Sequence, residues 1–492
     1  MSEAGLIAER SSFVAGAWIE GTESLGVENP ADETIFTEVS VTPIAEFERA
    51  IAEARRSFDE GVWAGQPADE RGRVLRAFLD HIDQVREPLI NTMVAEAGQP
   101  RIFAEMSQIN SSLALGRTTI DYYLALSHEA LNPVPLDELV RARVTLSVRR
   151  YEPIGVVAAI TPYNATMIMA IQKLIPALMA GCSVILRPSP LTPLSSLVLG
   201  TAAELAGLPP GVLSVVNEAG AEGAHLLTTD PRVDMVSFTG STAVGKQILA
   251  QAATTVKRVA LELGGKSAQI YLPDAVGHVA AGAAQVVAMT SGQACVAATR
   301  MFVPNESKDE VLEAVAATYG MLKVGSPTDP TSMLGPVISG PQRDRCERYV
   351  ALAEENGGKV VVGGSRPAAL ERGFYFEPTV LDLPDNKNPA AQDEIFGPVL
   401  SVIGYRSLDH AVEMANDTKF GLAGQVYGAD VAAAVGVARR LRTGAVTVNS
   451  GIFSAYAPSG GYKESGLLRE RGEDGIRAFQ EVKHIAIGEL PS

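Results

Sequence analysis

Cysteine is scarce in this sequence. Cys182, Cys295 and Cys346 are three among 492 residues, too few for a disulfide framework, and a reducing cytoplasm is the expected compartment. Positive charge is short as well. Lys and Arg number 41 against 57 Asp and Glu, a net of −16, and because nucleic-acid binding needs clustered positive charge, no nucleic-acid partner is expected. The six histidines, His81, His128, His225, His278, His410 and His484, lack ligand-like spacing, so no metal site is predicted. Long apolar runs are missing too. The windows "IGVVAAITPYNATMIMA" and "VAAGAAQVVAM" are broken by Pro162 and Asn164 or fall short of the roughly 20 residues that a spanning helix needs. The start, "MSEAGLIAERSSF", has acids and no basic n-region, so neither a signal peptide nor a membrane partner is expected.

What remains is a globular composition, 46% hydrophobic and 20% charged, with 46 glycines for turns and close backbone approaches. The length implies two or three domains. From Tyr151 to Lys266, short β-branched runs alternate with stretches of helical period: "IGVVAAI" strand, "MIMAIQKLIPALMAG" helix closed by Gly181, "SVILRPS" strand, "TPLSSLVLGTAAELAGL" helix capped by Thr192. "GVLSVVNEAG", "VDMVSFTGS" and "AVGKQILAQAAT" continue the series. Such alternation predicts a parallel, doubly wound sheet whose ligands sit beyond the carboxyl ends of its strands. A second alternating block runs from "SAQIYL" and "RMFVP" to "VLSVIGY" and "GAVTVN". The period-two segment "DELVRARVTLSVRRYEP" and the tail "VKHIAIGEL" read as strands that need neighbours.

Three places carry chemistry. "SGQACVAATR" sets Cys295 among small residues, where it is either a small core hydrophobe or a nucleophile. "SFTGSTAVG" is a glycine-rich turn at a helix amino terminus, which presents free N–H groups to an anion. "LELGGKSA" ends an apolar strand in Glu262, ordinarily a solvated strand end, but a base for water when paired with a thioester-forming cysteine. The charged run "YKESGLLRERGEDG" reads as a solvated helix end or turn.

The motifs "TPYNAT", "SFTGSTAVG", "LELGGK", "GQACVAATR", "DEIFGPVL" and "PSGGYKESGLLRERG" follow one another as in the NAD(P)-dependent aldehyde dehydrogenase superfamily, which the sequence resembles from "GAWIEG" to "EVKHIAI". The resemblance implies an α/β fold: a Rossmann-type parallel-sheet cofactor domain (residues 1–129 and 150–261), a second α/β catalytic domain (262–461) and a small β oligomerisation arm with the tail (130–149 and 462–492). It implies Cys295 as nucleophile, Asn164 as oxyanion donor, Glu262 as general base, and Lys173 with Glu470 as a second proton path. For NAD or NADP it implies Thr161, Tyr163, Arg187, Ser189, Gly220, Gly240, Ser241, Gly245, Leu263, Gly264, Glu394 and Phe396. A homodimer or homotetramer that oxidises a small-molecule aldehyde to the carboxylic acid follows. Its rivals are a CoA-acylating semialdehyde dehydrogenase, against which Glu262 argues, and a binding protein that has lost turnover.

Departures from the family pattern bear on specificity. Tyr163 replaces the usual tryptophan, Ala165 and Thr166 follow the asparagine, and Ser459 stands where phenylalanine is frequent. Pro190 occupies the usual carboxylate position of the adenosine site, and Arg187 with Ser189 on the same turn suits a 2′-phosphate, so NADP is expected to be accepted. Met167, Ile168 and Met169 are either pocket or core. No charged-pocket signal is visible, so a medium-sized apolar or aromatic aldehyde is expected. The Cys295 pKa is expected to lie below that of a free thiol.

Overall fold

The apolar runs bounded by glycine and proline become the buried strands of two parallel sheets. The computed structural model describes residues 5–133, 146–288, 290–449 and 451–488. The first sheet is built from β1 (Val156–Ile160), β2 (Ser183–Arg187), β3 (Leu213–Val215), β4 (Met235–Thr239) and β5 (Arg258–Glu262). Their spatial order is β5-β4-β1-β2-β3, all parallel. The chain winds outward from β1 through β2 to β3 and then returns to β4 on the other side. The carboxyl end of β1 is therefore the switch point where such sheets bind ligands.

Helices cross between these strands because their apolar stripes need the sheet. Helix α1 (Thr166–Ala180) buries Ile171, Leu174 and Leu178 in the main core and ends at Gly181, whose left-handed φ of 100° suits a residue without Cβ. Helix α2 (Leu194–Ala206) begins differently from expectation. Pro193, not Thr192, is the capping position, and the free N–H groups of Leu194 and Ser195 donate to the buried Glu96 carboxylate at 2.8 and 3.0 Å. A capping group supplied by a distant helix leaves no local sequence signal. Helix α3 (Glu222–Thr229) and helix α4 (Thr242–Ala252) precede and follow β4.

The second sheet has seven strands, parallel except at one edge, with β6 (Ala268–Tyr271) and β7 (Arg300–Pro304) side by side at its middle. The loop that carries Cys295 enters β7 directly. Gly466–Leu467, far along the chain, adds an antiparallel edge to β5 of the first sheet. The tail strand Gln480–Ile487 runs antiparallel to Leu146–Pro153, with Glu129–Leu131 on the other side, so the two segments that needed neighbours find each other within one chain. The earlier part of that arm, residues 134–145, lies outside the described residues.

Arg300 anchors the start of β7 at 1% exposure. Its Nε donates to Lys266 O at 2.9 Å, Nη1 to Asn386 Oδ1 and Met414 O at 2.9 and 3.1 Å, and Nη2 to Ala415 O at 2.9 Å. Arg300→Met leaves these acceptors buried without donors, each at a cost of about 1 kcal/mol or more. We expect a loss of at least about 3 kcal/mol of stability by denaturant unfolding, and a loss below about 1 kcal/mol would show that water replaces the guanidinium.

Candidate active site

The ends of β1, β4 and β5 face the loop before β7, and the predicted site residues gather there. Cys295 is partly exposed, whereas Cys182 and Cys346 are buried. Glycines allow its backbone to be approached closely. A Cβ on Gly265 would stand 2.4 Å from Cys295 O, and one on Gly292, at φ 76°, would stand 2.2 Å from Gly397 O. Asn164 follows β1 and aims its side chain at the same loop, with Nδ2 donating to Gln293 O at 2.7 Å. That bond uses one of the two amide protons and leaves the other free for a ligand. Gln99 fixes Asn164 in turn by donating to its carbonyl at 2.8 Å.

Glu262 ends β5 with its side chain buried in the site, and its Oε1 has no hydrogen-bond partner among the described residues. Burial, and then the charge of Glu470, raises its carboxyl above the ordinary value of 4.5, against the opposing pull of Lys173, Arg469 and Arg471. Lys173 on α1 is fully buried. Its Nζ meets Glu470 Oε1 at 2.5 Å and Ser237 Oγ at 3.1 Å, while Gln172 Nε2 bonds the other Glu470 oxygen. The run "YKESGLLRERGEDG" is thus not a solvated turn at its centre, because Glu470 is 3% exposed and Arg471 beside it is half-buried.

The expected depression of the Cys295 pKa is not found. Burial, followed by the negative charges of Glu394 and Glu262, pushes its thiol up to about 12. A small-residue sequence context carries no information about the carboxylates that folding brings near the sulfur.

The groups of the expected cofactor site line the strand ends beside this centre. Thr161 and Thr239, just after β1 and at the end of β4, carry buried hydroxyls with no partner among the described residues. Ser241 caps α4, accepting from Val244 N at 3.3 Å, and Gly240 N donates to Glu262 O. Gly245 packs so tightly that a Cβ would lie 2.5 Å from Leu263 Cδ2, while Gly220 borders open space. Glu394 accepts from Gly265 N at 2.9 Å and leaves no room for a Cβ on Gly264. Phe396, at φ 63°, stands edge-on to Tyr163 with 6.0 Å between centroids. Free hydroxyls, a helix amino terminus and a buried carboxylate suit the hydroxyls and pyrophosphate of a dinucleotide.

Arg187, at the end of β2, is not free as expected. Its Nε donates to Glu218 Oε1 at 2.7 Å and its Nη2 to Gly220 O at 2.9 Å, and both side chains are buried. Glu218 also accepts from Gly223 N and Ala224 N at the start of α3. Ser189 Oγ accepts from Leu191 N at 3.3 Å. Met167 lies in the main core, while Ile168 and Met169 are half-buried. Gln172, Glu218, Gln293 and Arg471 escaped the sequence reading. Only Arg471, adjacent to Glu470, offered a signal, since a partner next to a motif glutamate shares its burial.

A doubly wound sheet joined to a second α/β unit, with a cysteine and a buried carboxylate at their junction, defines a class of α/β enzyme. The chain belongs to the aldehyde dehydrogenase family, whose profile matches residues 18–485. Geranial dehydrogenase of Castellaniella defragrans is 38% identical over 480 residues, covering 96% of this chain and 98% of that protein. Aldehyde dehydrogenase C of Pseudomonas syringae, solved as a cysteine-to-alanine variant with NAD+ and octanal, superposes with a TM-score of 0.92 at 36% identity, covering 97% of this chain and 96% of the other. Betaine aldehyde dehydrogenase of Staphylococcus aureus with NAD+ gives 0.92 at 33% identity, covering 98% and 96%. Among the described residues, no helix is long and apolar enough to cross a membrane, and no cluster of His, Cys, Asp and Glu could hold a metal ion.

The raised thiol predicts slow, base-dependent alkylation of the cofactor-free protein. Iodoacetamide should modify Cys295 ahead of the two buried cysteines, at a rate that climbs about tenfold per pH unit from 7 to 9.5. Mass spectrometry of the peptides reads this, and a plateau near pH 8.5 would mean an unperturbed thiol.

Proposed function

We propose that this chain oxidises a medium-sized apolar or aromatic aldehyde to its carboxylic acid, with NAD+ or NADP+ as acceptor. The observation that carries this reading is the buried Glu262 carboxyl, unpartnered at one oxygen and within electrostatic reach of Cys295. A hydrolysing enzyme needs such a base, whereas one that passes its acyl group to a thiol does not.

The Cys295 sulfur, once deprotonated, attacks the carbonyl carbon, and the new C–S bond places negative charge on oxygen. The free Asn164 amide proton and the Cys295 backbone N–H stabilise that charge, each donor contributing about 3 kcal/mol in comparable sites. When bound, the cofactor accepts the hydride and brings a positive nicotinamide charge that opposes the raised thiol pKa. Loss of hydride leaves a thioester on Cys295. Glu262 takes a proton from water, the hydroxide adds to the acyl carbon, and the C–S bond breaks to release the acid and the thiolate. Lys173 and Glu470 offer the proton a buried route away from Glu262. The exposed tail strand Gln480–Ile487 supports assembly into a homodimer or homotetramer, and the scarcity of cysteine supports a cytoplasmic setting.

Cys295→Ala should abolish turnover, while Cys182→Ala and Cys346→Ala stay active. Glu262→Gln should give a burst of reduced cofactor at 340 nm followed by slow release. In the wild-type enzyme the raised carboxyl supplies more base as pH increases, so acyl release should quicken with pH well above the ordinary carboxylate range. Unchanged steady turnover in Glu262→Gln would assign the water to another group.

Arg187 bound to Glu218 is a poor receptor for a 2′-phosphate, because the phosphate meets a carboxylate already seated on the guanidinium. We therefore expect kcat/KM for NAD+ to exceed that for NADP+ by about tenfold or more, near 1.4 kcal/mol. Glu218→Gln should narrow the ratio. Preference for NADP+ in the wild type would show that Arg187 leaves Glu218 when the phosphate arrives.

A further inference from the structure

The turn that leads into the Cys295 loop is strained. Thr290, Ser291 and Gly292 are consecutive residues with positive φ, at 44°, 55° and 76°. A left-handed backbone is costly for a residue with a side chain, most of all for a β-branched one such as Thr290, and it persists where the surroundings hold it. All three residues are buried. Ser291 Oγ donates to Gly335 O at 2.8 Å, Gln293 Nε2 donates to Thr290 O at 3.1 Å, and Gln293 Oε1 accepts from Ile338 N at 3.0 Å. The proposed reaction uses none of these groups, yet Cys295 follows Ser291 by four residues.

From Gly335 a second path of contacts returns to the same loop. Gly335 lies so close to Gly98 that a Cβ on it would stand 2.2 Å from Gly98 O, and a Cβ on Gly98 would stand 2.6 Å from Pro336 Cγ. Gln99, next in the chain and 1% exposed, donates from Nε2 to Asn164 O at 2.8 Å. Asn164 Nδ2 in turn donates to Gln293 O at 2.7 Å, two residues from Ser291. The contacts therefore form a closed circuit through four segments that are far apart in sequence. A closed circuit of satisfied, buried contacts holds its members more firmly than an open chain does, because none can shift without disturbing a contact on either side. Two of its members bear on the proposed chemistry, Asn164 and the loop that carries Cys295.

We infer that Ser291 is a positioning residue, whose hydroxyl closes this circuit and so sets the Cys295 loop against the Asn164 amide. The sulfur can then attack the carbonyl carbon while that amide receives the charge developing on oxygen. This rests on the proposed aldehyde oxidation and adds to it a residue that acts through the loop. A misplacement of about 1 Å between reacting groups costs on the order of a hundredfold in rate, so loss of the hydroxyl falls on the chemical step.

The test uses Ser291→Ala, which removes the hydroxyl and keeps the strained backbone, and Ser291→Gly, which removes the hydroxyl and relieves the strain. Hydride transfer is read at 340 nm in a single turnover with enzyme in excess over cofactor, so that acyl release does not mask it. Both variants should lower the maximal rate by about tenfold or more and change the half-saturating aldehyde concentration by less than about threefold, while Ser291→Gly melts no lower than Ser291→Ala. A wild-type rate in either variant overturns the inference, and recovery in Ser291→Gly alone would assign the hydroxyl to supporting a strained turn. In an Asn164→Ala background, Ser291→Ala should slow the step by less than about threefold more, because the amide it aligns is gone. A full further loss of about tenfold means that the two residues act independently and overturns the inference as well. Hydrogen exchange gives a reading without turnover. Ser291→Ala should speed exchange in the peptides that carry Asn164 and residues 293–298 and leave the strands of the first sheet unchanged, and unaltered exchange in both peptides overturns the inference. A wild type that oxidises no aldehyde counts against the proposed function, and the exchange result then decides whether Ser291 holds the circuit.

Discussion

The buried ion pair between Lys173 and Glu470 is the interaction on which the site depends. It joins α1 of the first sheet to a segment almost 300 residues further on, at 2.5 Å and with both side chains essentially out of water. Removing two charges from water costs several kcal/mol for each ion, and the attraction offsets this only when the remaining donors and acceptors are satisfied. Here Ser237 takes a further lysine contact and Gln172 takes the second glutamate oxygen. The backbone of Glu470 pairs with Ser459 in both directions, at 2.7 and 2.8 Å, which ties the glycine turn at 460–461 to the same point. A Cβ on Gly460 would stand 2.7 Å from Glu262 Oε1, so the pair fixes the wall against which the Glu262 carboxyl is held.

That wall explains why the electrostatics of the centre run opposite to those of an exposed thiol. Burial and then two nearby carboxylates raise the Cys295 thiol, which disfavours the thiolate at neutral pH. In the proposed reaction, the positive charge needed to release its proton arrives with the oxidised cofactor, so that activation of the nucleophile is linked to occupancy of the neighbouring site.

The legible part of this architecture was the part written locally. Runs such as "VVAAI" and "MVSFT" set the strands, Gly181 closed α1, and small residues around Cys295 marked a place where backbone segments converge. Motif resemblance brought Asn164, Glu262 and Glu394 to one region, and the structure places all three around the Cys295 loop. What sequence reading lacked were partners supplied across long separations. Thr192 looked like a cap because the true acceptor, Glu96, is 98 residues from Leu194. Arg187 looked free because Glu218 reaches it from the next strand, 31 residues on. Arg471 looked solvated because a mixed charge run is usually exposed, and only the fold shows Glu470 turning inward and carrying its neighbour with it.

The four carboxylates around the site, two buried and two partly so, differ by what they touch, and that difference sorts them. Glu470 is neutralised by a lysine. Glu218 holds an arginine and two helix N–H groups, so both its oxygens are committed. Burial raises the Glu394 carboxyl above its ordinary value, the N–H of Gly265 that it accepts opposes that shift, and its other oxygen is suited to a ligand hydroxyl. Glu262 has one oxygen with no partner at all, and the nearby negative charge of Glu470 adds to burial in raising its proton affinity. A carboxyl that gains a proton readily, acts electrostatically on the cysteine and has an uncommitted oxygen is the member of the set that suits the base of the proposed reaction. Glu470 and Glu218 are each bound by a cation, and Glu394 by the Gly265 N–H. Four residues of one chemical type are in this way divided by their partners: two paired with cations, one holding a backbone N–H, and one with an uncommitted oxygen that suits the base of the proposed reaction.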